Sequence, residues 1–199
     1  MDGIIVKKDL NLLKKQDYIT FKNAKEYGIS KYKFYKYVID NNLEKIDRGV
    51  YSKKDSFIDE LYLIHERCPQ AVFSHDEAFY FHNLSDREPV SHTFTIYSGY
   101  NSHRLKEKRN YKIYNIKKEL LDLGKIYVKD NSGNEIPVYN LERTICDLVR
   151  SRNSIEIQEF TSVLQNYVKR KDKNLNLLME YAKLFKIDNI IRNYMDVLL

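Results

Sequence analysis

TFKNAKEYGISKYKFYKYV, residues Thr20 to Val38, decides the reading of the first quarter of the chain. Thr20 suits a helix N-cap, where a side-chain oxygen satisfies an early N–H. Gly28 suits the exit of the helix that follows, because glycine accepts the left-handed conformation there. Ser30 then opens a second helix over 31–41, closed by Asn41-Asn42. A helix-turn-helix needs a small residue where its helices cross and a residue tolerant of positive φ in the turn. It also needs apolar residues about six and about nine positions beyond the turn. Ala24, Gly28, Phe34 and Tyr37 meet that pattern, with Ile29 and Val38 as further core. The outward face of the second helix is left with Lys31, Tyr32, Lys33, Tyr35 and Lys36. These are donors for phosphates and base edges, interleaved with rings that pack on sugars. Downstream, Leu43–Ile46 and Val50–Ser52 flank Asp47-Arg48-Gly49, a tight hairpin that offers Arg48 at its tip. Helix, helix and hairpin together predict a winged helix-turn-helix over residues 1–55, preceded by a short amphipathic helix near 7–16. The same lysines also fit the solvated face of a three-helix packing unit.

The composition supports a folded, basic protein. The chain has 199 residues, room for one domain or two small ones, and 43% hydrophobic residues with 13% aromatic exclude wholesale disorder. Lys and Arg number 34 against 28 Asp and Glu, a net charge of +6. The first 55 residues hold 13 of the basic and 8 of the acidic side chains, so the excess is concentrated there. Such a balance favours a polyanionic partner. Mean hydropathy is −0.59 and no apolar run approaches the length of a membrane span, so no transmembrane helix is predicted. Residues 1–20 are too charged for a signal peptide, and two cysteines make no disulfide framework; a cytoplasmic location is expected.

Residues 56–199 predict a second domain of mixed structure. Ser56–Arg67 has helical spacing. Ser74 and Glu77 resemble a capping box opening a helix that ends near Leu84. Strand-like runs follow at His92–Ser98, Tyr111–Ile116, Lys125–Lys129 and Glu135–Tyr139, the last two joined as a hairpin. Pro137 assigns the final strand to an edge or places it at a strand start. Asn140 caps a helix over 141–151, Asn153 or Ser154 caps another to Val168, and helices over 175–185 and 189–198 complete the chain. The expected fold class is α/β (α+β): the winged helix-turn-helix, then a small antiparallel sheet covered by helices.

Few residues beyond the first domain suggest chemistry. The run His103–Lys118 carries Arg104, Lys106, Lys108 and Arg109, a secondary nucleic-acid contact or an edge strand guarded by lysines. No His or Cys spacing fits a metal site, and no glycine-rich loop fits a phosphate, so neither metal nor cofactor is expected. Ser74-His75-Asp76 is contiguous and its side chains diverge, unlike a triad assembled from distant positions. Glu142, Arg143 and Asp147 read as a helical ion pair, Arg143 with Asp147 at i,i+4. Glu142 and Asp147 remain the candidates for a metal-dependent nuclease.

Four stretches carry a resemblance. They are Asp47-Arg48-Gly49-Val50-Tyr51; Ser74-His75-Asp76-Glu77-Ala78 through His82-Asn83-Leu84-Ser85-Asp86; Leu141-Glu142-Arg143-Thr144-Ile145-Cys146-Asp147-Leu148; and Leu178-Met179-Glu180-Tyr181-Ala182 to Tyr194-Met195-Asp196-Val197-Leu198-Leu199. The chain resembles the AbiEi family of antitoxins from type IV toxin–antitoxin systems, associated with abortive phage infection. Where such proteins often have Pro before a Gly-Tyr pair, this one has Ser98-Gly99-Tyr100. The resemblance implies a winged helix-turn-helix on operator DNA that represses its own operon. It also implies a C-terminal domain over 56–199 that counters a nucleotidyltransferase-like toxin without a stable complex. A single winged helix reads few base pairs, so two copies on an inverted repeat are expected, from a protein monomeric when free. The rival expectations are a DNA-tethered metal-dependent nuclease and a plain transcription factor with no toxin partner.

Overall fold

The computed structural model describes residues 13, 18–47, 49–54, 56, 59–101, 111–130 and 133–199. The chain is mixed α and β, with eight α-helices and two small sheets among the described residues. It divides into two compact units, Met1–Asp59 and Glu60–Leu199. Among the described residues no helix is long and apolar enough to cross a membrane.

The first unit contains β1 (Tyr18–Thr20), α1 (Phe21–Glu26), α2 (Lys31–Asp40), β2 (Glu44–Asp47) and β3 (Val50–Ser52). Thr20 Oγ1 accepts the Asn23 N–H at 3.1 Å and starts α1. At the exit, Gly28 sits at φ +74°, its N–H bonds Lys25 O at 3.0 Å, and the Ile29 N–H bonds Ala24 O at 2.9 Å. This paired exit satisfies two carbonyls and folds Ile29 back onto Ala24, both of them buried. The exit of α2 repeats it, with Asn42 at φ +50° and Leu43 N–H on Val38 O at 3.0 Å. The core gathers Leu13, Ile19, Ala24, Ile29, Phe34, Tyr37 and Val38. Strand β1 does not stand out in the sequence; it pairs antiparallel with β3, which pairs antiparallel with β2, in the order β1-β3-β2. The predicted helix near 7–16, apart from Leu13, and the hairpin residue Arg48 lie outside the described residues.

The second unit runs α3 (Glu60–Arg67), β4 (Val72–Phe73), α4 (Asp76–Phe81), β5 (His92–Tyr97), β6 (Tyr111–Ile116), β7 (Lys125–Lys129), β8 (Glu135–Tyr139), α5 (Leu141–Arg150), α6 (Ile157–Lys169), α7 (Leu175–Leu184) and α8 (Asp188–Leu198). Its sheet has the order β6-β5-β4-β8-β7. The expected antiparallel sheet is corrected to a mixed one: β5/β6 and β4/β8 are parallel, β4/β5 and β7/β8 antiparallel. Residues 98–110 separate β5 from β6, enough for the dozen or so that a parallel crossover needs. Strand β4, only two residues long, escapes the sequence pattern and makes β8 an interior strand. Pro137 is accommodated there because β4 registers with β8 at Val138.

Two expected caps are also corrected. Helix α4 starts without a side-chain cap: Ser74 Oγ bonds His75 and Thr95, and the Glu77 N–H bonds Thr93 Oγ1 at 2.9 Å. Sheet partners far along the chain have taken both groups of the apparent capping box. Residues 152–154 form a 3₁₀ turn, and α6 begins after Glu156 rather than at a cap on Asn153 or Ser154. Asn140 and Asn174 do cap α5 and α7 by their Oδ1 atoms, at 3.0 Å each. Helix α5 is buried from Leu141 to Val149 on every side and forms the axis around which α6, α7 and α8 pack. His92 ties two helices to β5, with Nδ1 2.6 Å from Glu77 and Nε2 2.9 Å from Glu60.

Candidate nucleic-acid interface

Phe34, Tyr37 and Val38 turn inward from α2, and Lys31, Tyr32, Lys33, Tyr35 and Lys36 are all exposed. At about 100° per residue, Lys31 and Lys33 lie on opposite flanks of the exposed arc, while Tyr32 and Lys36 lie in its middle. Ile39, 73% exposed, completes a Tyr32-Tyr35-Ile39 stripe between the flanks. Ile39 is not among the residues that the sequence singles out, and its place follows from the i,i+3,i+7 spacing. Tyr35, at 37% exposure, is half committed: its ring meets Phe34 edge-on at 5.3 Å and Tyr51 at 6.0 Å. It therefore links the exposed helix face to β3. Lys31, Tyr32, Tyr35, Lys36, Ile39 and Asp40 border a shallow surface depression of about 520 Å³. The second candidate strip, Arg104, Lys106, Lys108 and Arg109, lies outside the described residues, as does Arg48. No protein-family model and no curated protein matches the chain.

The second unit holds a buried polar cluster that sequence reasoning found only in part. The Arg143 guanidinium is fully buried, with Nε donating to Asp147 Oδ2 at 3.0 Å. Its Nη1 donates to the carbonyls of Leu120 and Leu123 at 2.9 and 2.8 Å. Tyr139 and Phe185 cover the guanidinium plane, their ring centres 3.9 and 4.5 Å from its carbon. The other Asp147 oxygen accepts Arg150 Nη1 at 2.8 Å. Glu142 points elsewhere and accepts the Asn174 N–H at 2.8 Å. The two acids singled out for a nuclease thus serve different partners. Among the described residues no group of three or more His, Cys, Asp or Glu side chains is disposed to hold a metal.

His75 joins this region from the sheet side. Its ring stacks on Tyr114, 3.4 Å between centres and 6° from parallel. Nδ1 lies 3.0 Å from Ser74 Oγ and Nε2 2.9 Å from Ser151 Oγ. Burial pushes its pKa down to about 4, opposed by Asp147 and aided by Lys112, Arg150 and Arg143. Burial likewise lowers the His82 pKa, and His82 Nε2 donates to Tyr139 O at 2.7 Å. For His75 the depressed value fixes the sign of a pH effect. Below an ordinary pKa of about 6.5 the unfolded chain takes up a proton that the folded one refuses. The stability that His75 contributes is complete above about pH 6.5 and falls by about 3 kcal/mol as the pH drops to its folded pKa. Urea midpoints measured from pH 7 to pH 4 are expected to show this fall, and His75→Asn to remove its share. An equally steep profile in the variant would mean that other groups carry the effect.

Proposed function

We propose that the Met1–Asp59 unit is a winged helix-turn-helix that binds duplex DNA through α2, with Arg48 at the tip of the wing. The exposed face of α2 carries the reading: Lys31 and Lys33 on opposite flanks, Lys36 between them, and an aromatic and aliphatic stripe at the centre. A helix in a major groove about 12 Å wide has a phosphate backbone on either side and base edges beneath it. Flanking lysines suit the phosphates. Tyr32 and Ile39 suit base edges and thymine methyls. The paired helix exit at Gly28 and Ile29 sets α2 against α1 through Ala24, as such a module requires.

The family resemblance extends this to a DNA-binding antitoxin and autorepressor of a type IV toxin–antitoxin operon. In this proposal the protein is cytoplasmic, has no catalytic step, binds an inverted repeat as two copies, and opposes a nucleotidyltransferase-like toxin without a stable complex. The engagement of Asp147 by two arginines and of Glu142 by a backbone N–H supports structural roles for both acids.

The test replaces Lys31, Lys33 and Lys36 together by Ala and measures binding to DNA from the protein's own promoter across a salt series. Thermal melting is expected to stay within a degree or two of the wild type, because exposed lysines contribute little to stability. Affinity is expected to drop, and the slope of log K against log salt to flatten by up to about three if each lysine meets a phosphate. Unchanged affinity and slope would overturn the assignment of α2. Co-expression with a nucleotidyltransferase encoded beside this gene tests the antitoxin part: growth inhibition that this protein does not relieve counts against it.

A further inference from the structure

The second unit contains a cavity of about 350 Å³ whose lining includes His75, Tyr114, Arg150, Ser151, Arg152 and Phe185. Its hydrogen bonds can be counted. Ser74 Oγ accepts from Thr95 Oγ1 at 2.9 Å, and its own proton has His75 Nδ1 at 3.0 Å. In the tautomer with Nδ1 accepting, His75 carries its hydrogen on Nε2 and donates to Ser151 Oγ at 2.9 Å. In that tautomer the Ser151 hydroxyl proton is left for the cavity. Arg150 has Nη1 engaged by Asp147, and Arg152 has Nη1 on Val149 O at 3.2 Å; the other guanidinium N–H groups have no partner among the described residues. Both oxygens of Asp147, the one acid in the lining, are already taken by Arg143 and Arg150. The charged side chains of the cavity therefore leave guanidinium donors free with an excess of positive charge, which selects an anion.

Ile116, Phe185 and Ile187 also belong to the lining, with the Arg150 guanidinium carbon 4.6 Å from the Phe185 ring centre. The volume is several times that of a phosphate ion and falls at the small end of the 300–1,000 Å³ typical of organic ligand sites. His75 also holds its backbone at φ +51° and ψ −121°, a region that favours glycine. Strain of that kind persists where surroundings over-determine it, and it clusters at ligand sites. Here the stack on Tyr114 and the two hydroxyl bonds are what hold it.

We propose that this cavity binds a mononucleotide, with its phosphate on Arg150, Arg152 and the Ser151 hydroxyl and its base beside Phe185 and its neighbours Ile116 and Ile187. The site is separate from the α2 surface and does not depend on the DNA-binding reading.

Titration calorimetry of the full chain tests this, with AMP, GMP, CMP and UMP as probes and adenosine and inorganic phosphate as controls. At least one mononucleotide is expected to bind at least tenfold more tightly than either control. Arg152→Gln and Ser151→Ala are expected to weaken that binding tenfold or more, the loss of a charge-assisted donor and of a half-buried hydroxyl donor. Arg152→Gln should melt as the wild type does, since that side chain is exposed, whereas Ser151→Ala should melt a few degrees lower because it takes a hydrogen-bond partner from the buried His75 ring. The triple lysine variant of α2 should bind the nucleotide unchanged. No heat with any mononucleotide would overturn the proposal. So would phosphate or adenosine binding as tightly as the nucleotide, or binding that survives both cavity substitutions and is lost in the α2 variant.

Discussion

Replacing Asp147 by Ala is expected to destabilise the Glu60–Leu199 unit by about 3–5 kcal/mol, the cost of leaving a buried charge without its partner. The side chain of Arg143 has no exposed surface, and Asp147, 2% exposed, is the one acid bonded to it among the described residues. Removing the carboxylate strands the guanidinium within the core. It also releases Arg150, whose place over Phe185 at 4.6 Å depends on the same acid. With a urea slope of about 2 kcal/mol/M, the unfolding midpoint should fall by about 1.5–2.5 M. The double replacement Arg143→Met and Asp147→Leu should recover part of the loss, because removing both charges relieves the desolvation. Recovery should be incomplete, since the carbonyls of Leu120 and Leu123 then lose their donor. A single variant with the wild-type midpoint would mean that Asp147 does not hold Arg143.

This cluster also marks the limit of what the sequence discloses. The Arg143–Asp147 spacing was legible because i,i+4 neighbours meet on any helix. The carbonyls that receive Nη1 come from the 118–124 turn, some twenty positions away, and no local pattern announces them. The same division runs through the fold. Thr20, Ser30 and Asn140 cap the helices that their positions suggested, since a cap is settled within four residues. Ser74 and Glu77 have the right spacing for a cap, but strand β5 brings Thr93 and Thr95 to them and wins. Strand β4 is two residues long, too short for any alternation, although it decides that β8 is interior and that the sheet is mixed. On α2 the outward lysines and tyrosines were all legible from the helical period. Ile39 completes the stripe because the exposed arc continues to the end of the helix.

The cavity is the part least accessible to sequence reasoning. Its donors come from the end of α5 and the 3₁₀ turn after it, its histidine from the approach to α4, and its apolar lining residues from β6 and the α7–α8 connection. Ser74-His75-Asp76 looked uninformative because contiguous side chains diverge. Divergence is what allows Ser74 to fix one ring nitrogen of His75 while Ser151, far along the chain, meets the other.

Gly124→Ala should be the second severe substitution, and comparison with Gly28→Ala isolates the reason. The two glycines share a backbone conformation, φ +75° and +74°, which costs an L-residue about 1 kcal/mol. They differ in their surroundings. A Cβ at Gly28 meets nothing within 4 Å, whereas one at Gly124 would lie 2.6 Å from Arg143 Cβ and 3.0 Å from Asn140 Oδ1. Arg143 Cβ belongs to the buried helix α5 and cannot swing aside, and Asn140 Oδ1 is the cap of that helix. The Gly124 carbonyl also accepts the Asn140 N–H at 2.7 Å, so the turn cannot retreat without breaking that bond. Overpacking of this kind costs a further 1–3 kcal/mol or so, which brings the expected loss at Gly124 to about 2–4 kcal/mol. Gly28→Ala should lose about 1 kcal/mol, the conformational part alone. Urea unfolding of both variants measures the difference. Equal losses would mean that the 118–124 turn does not press on Arg143 as closely as the geometry requires. A larger loss at Gly124, with the Arg143 bonds to Leu120 and Leu123 weakened in the same variant, would tie the turn, the helix cap and the buried ion pair into one cooperative unit.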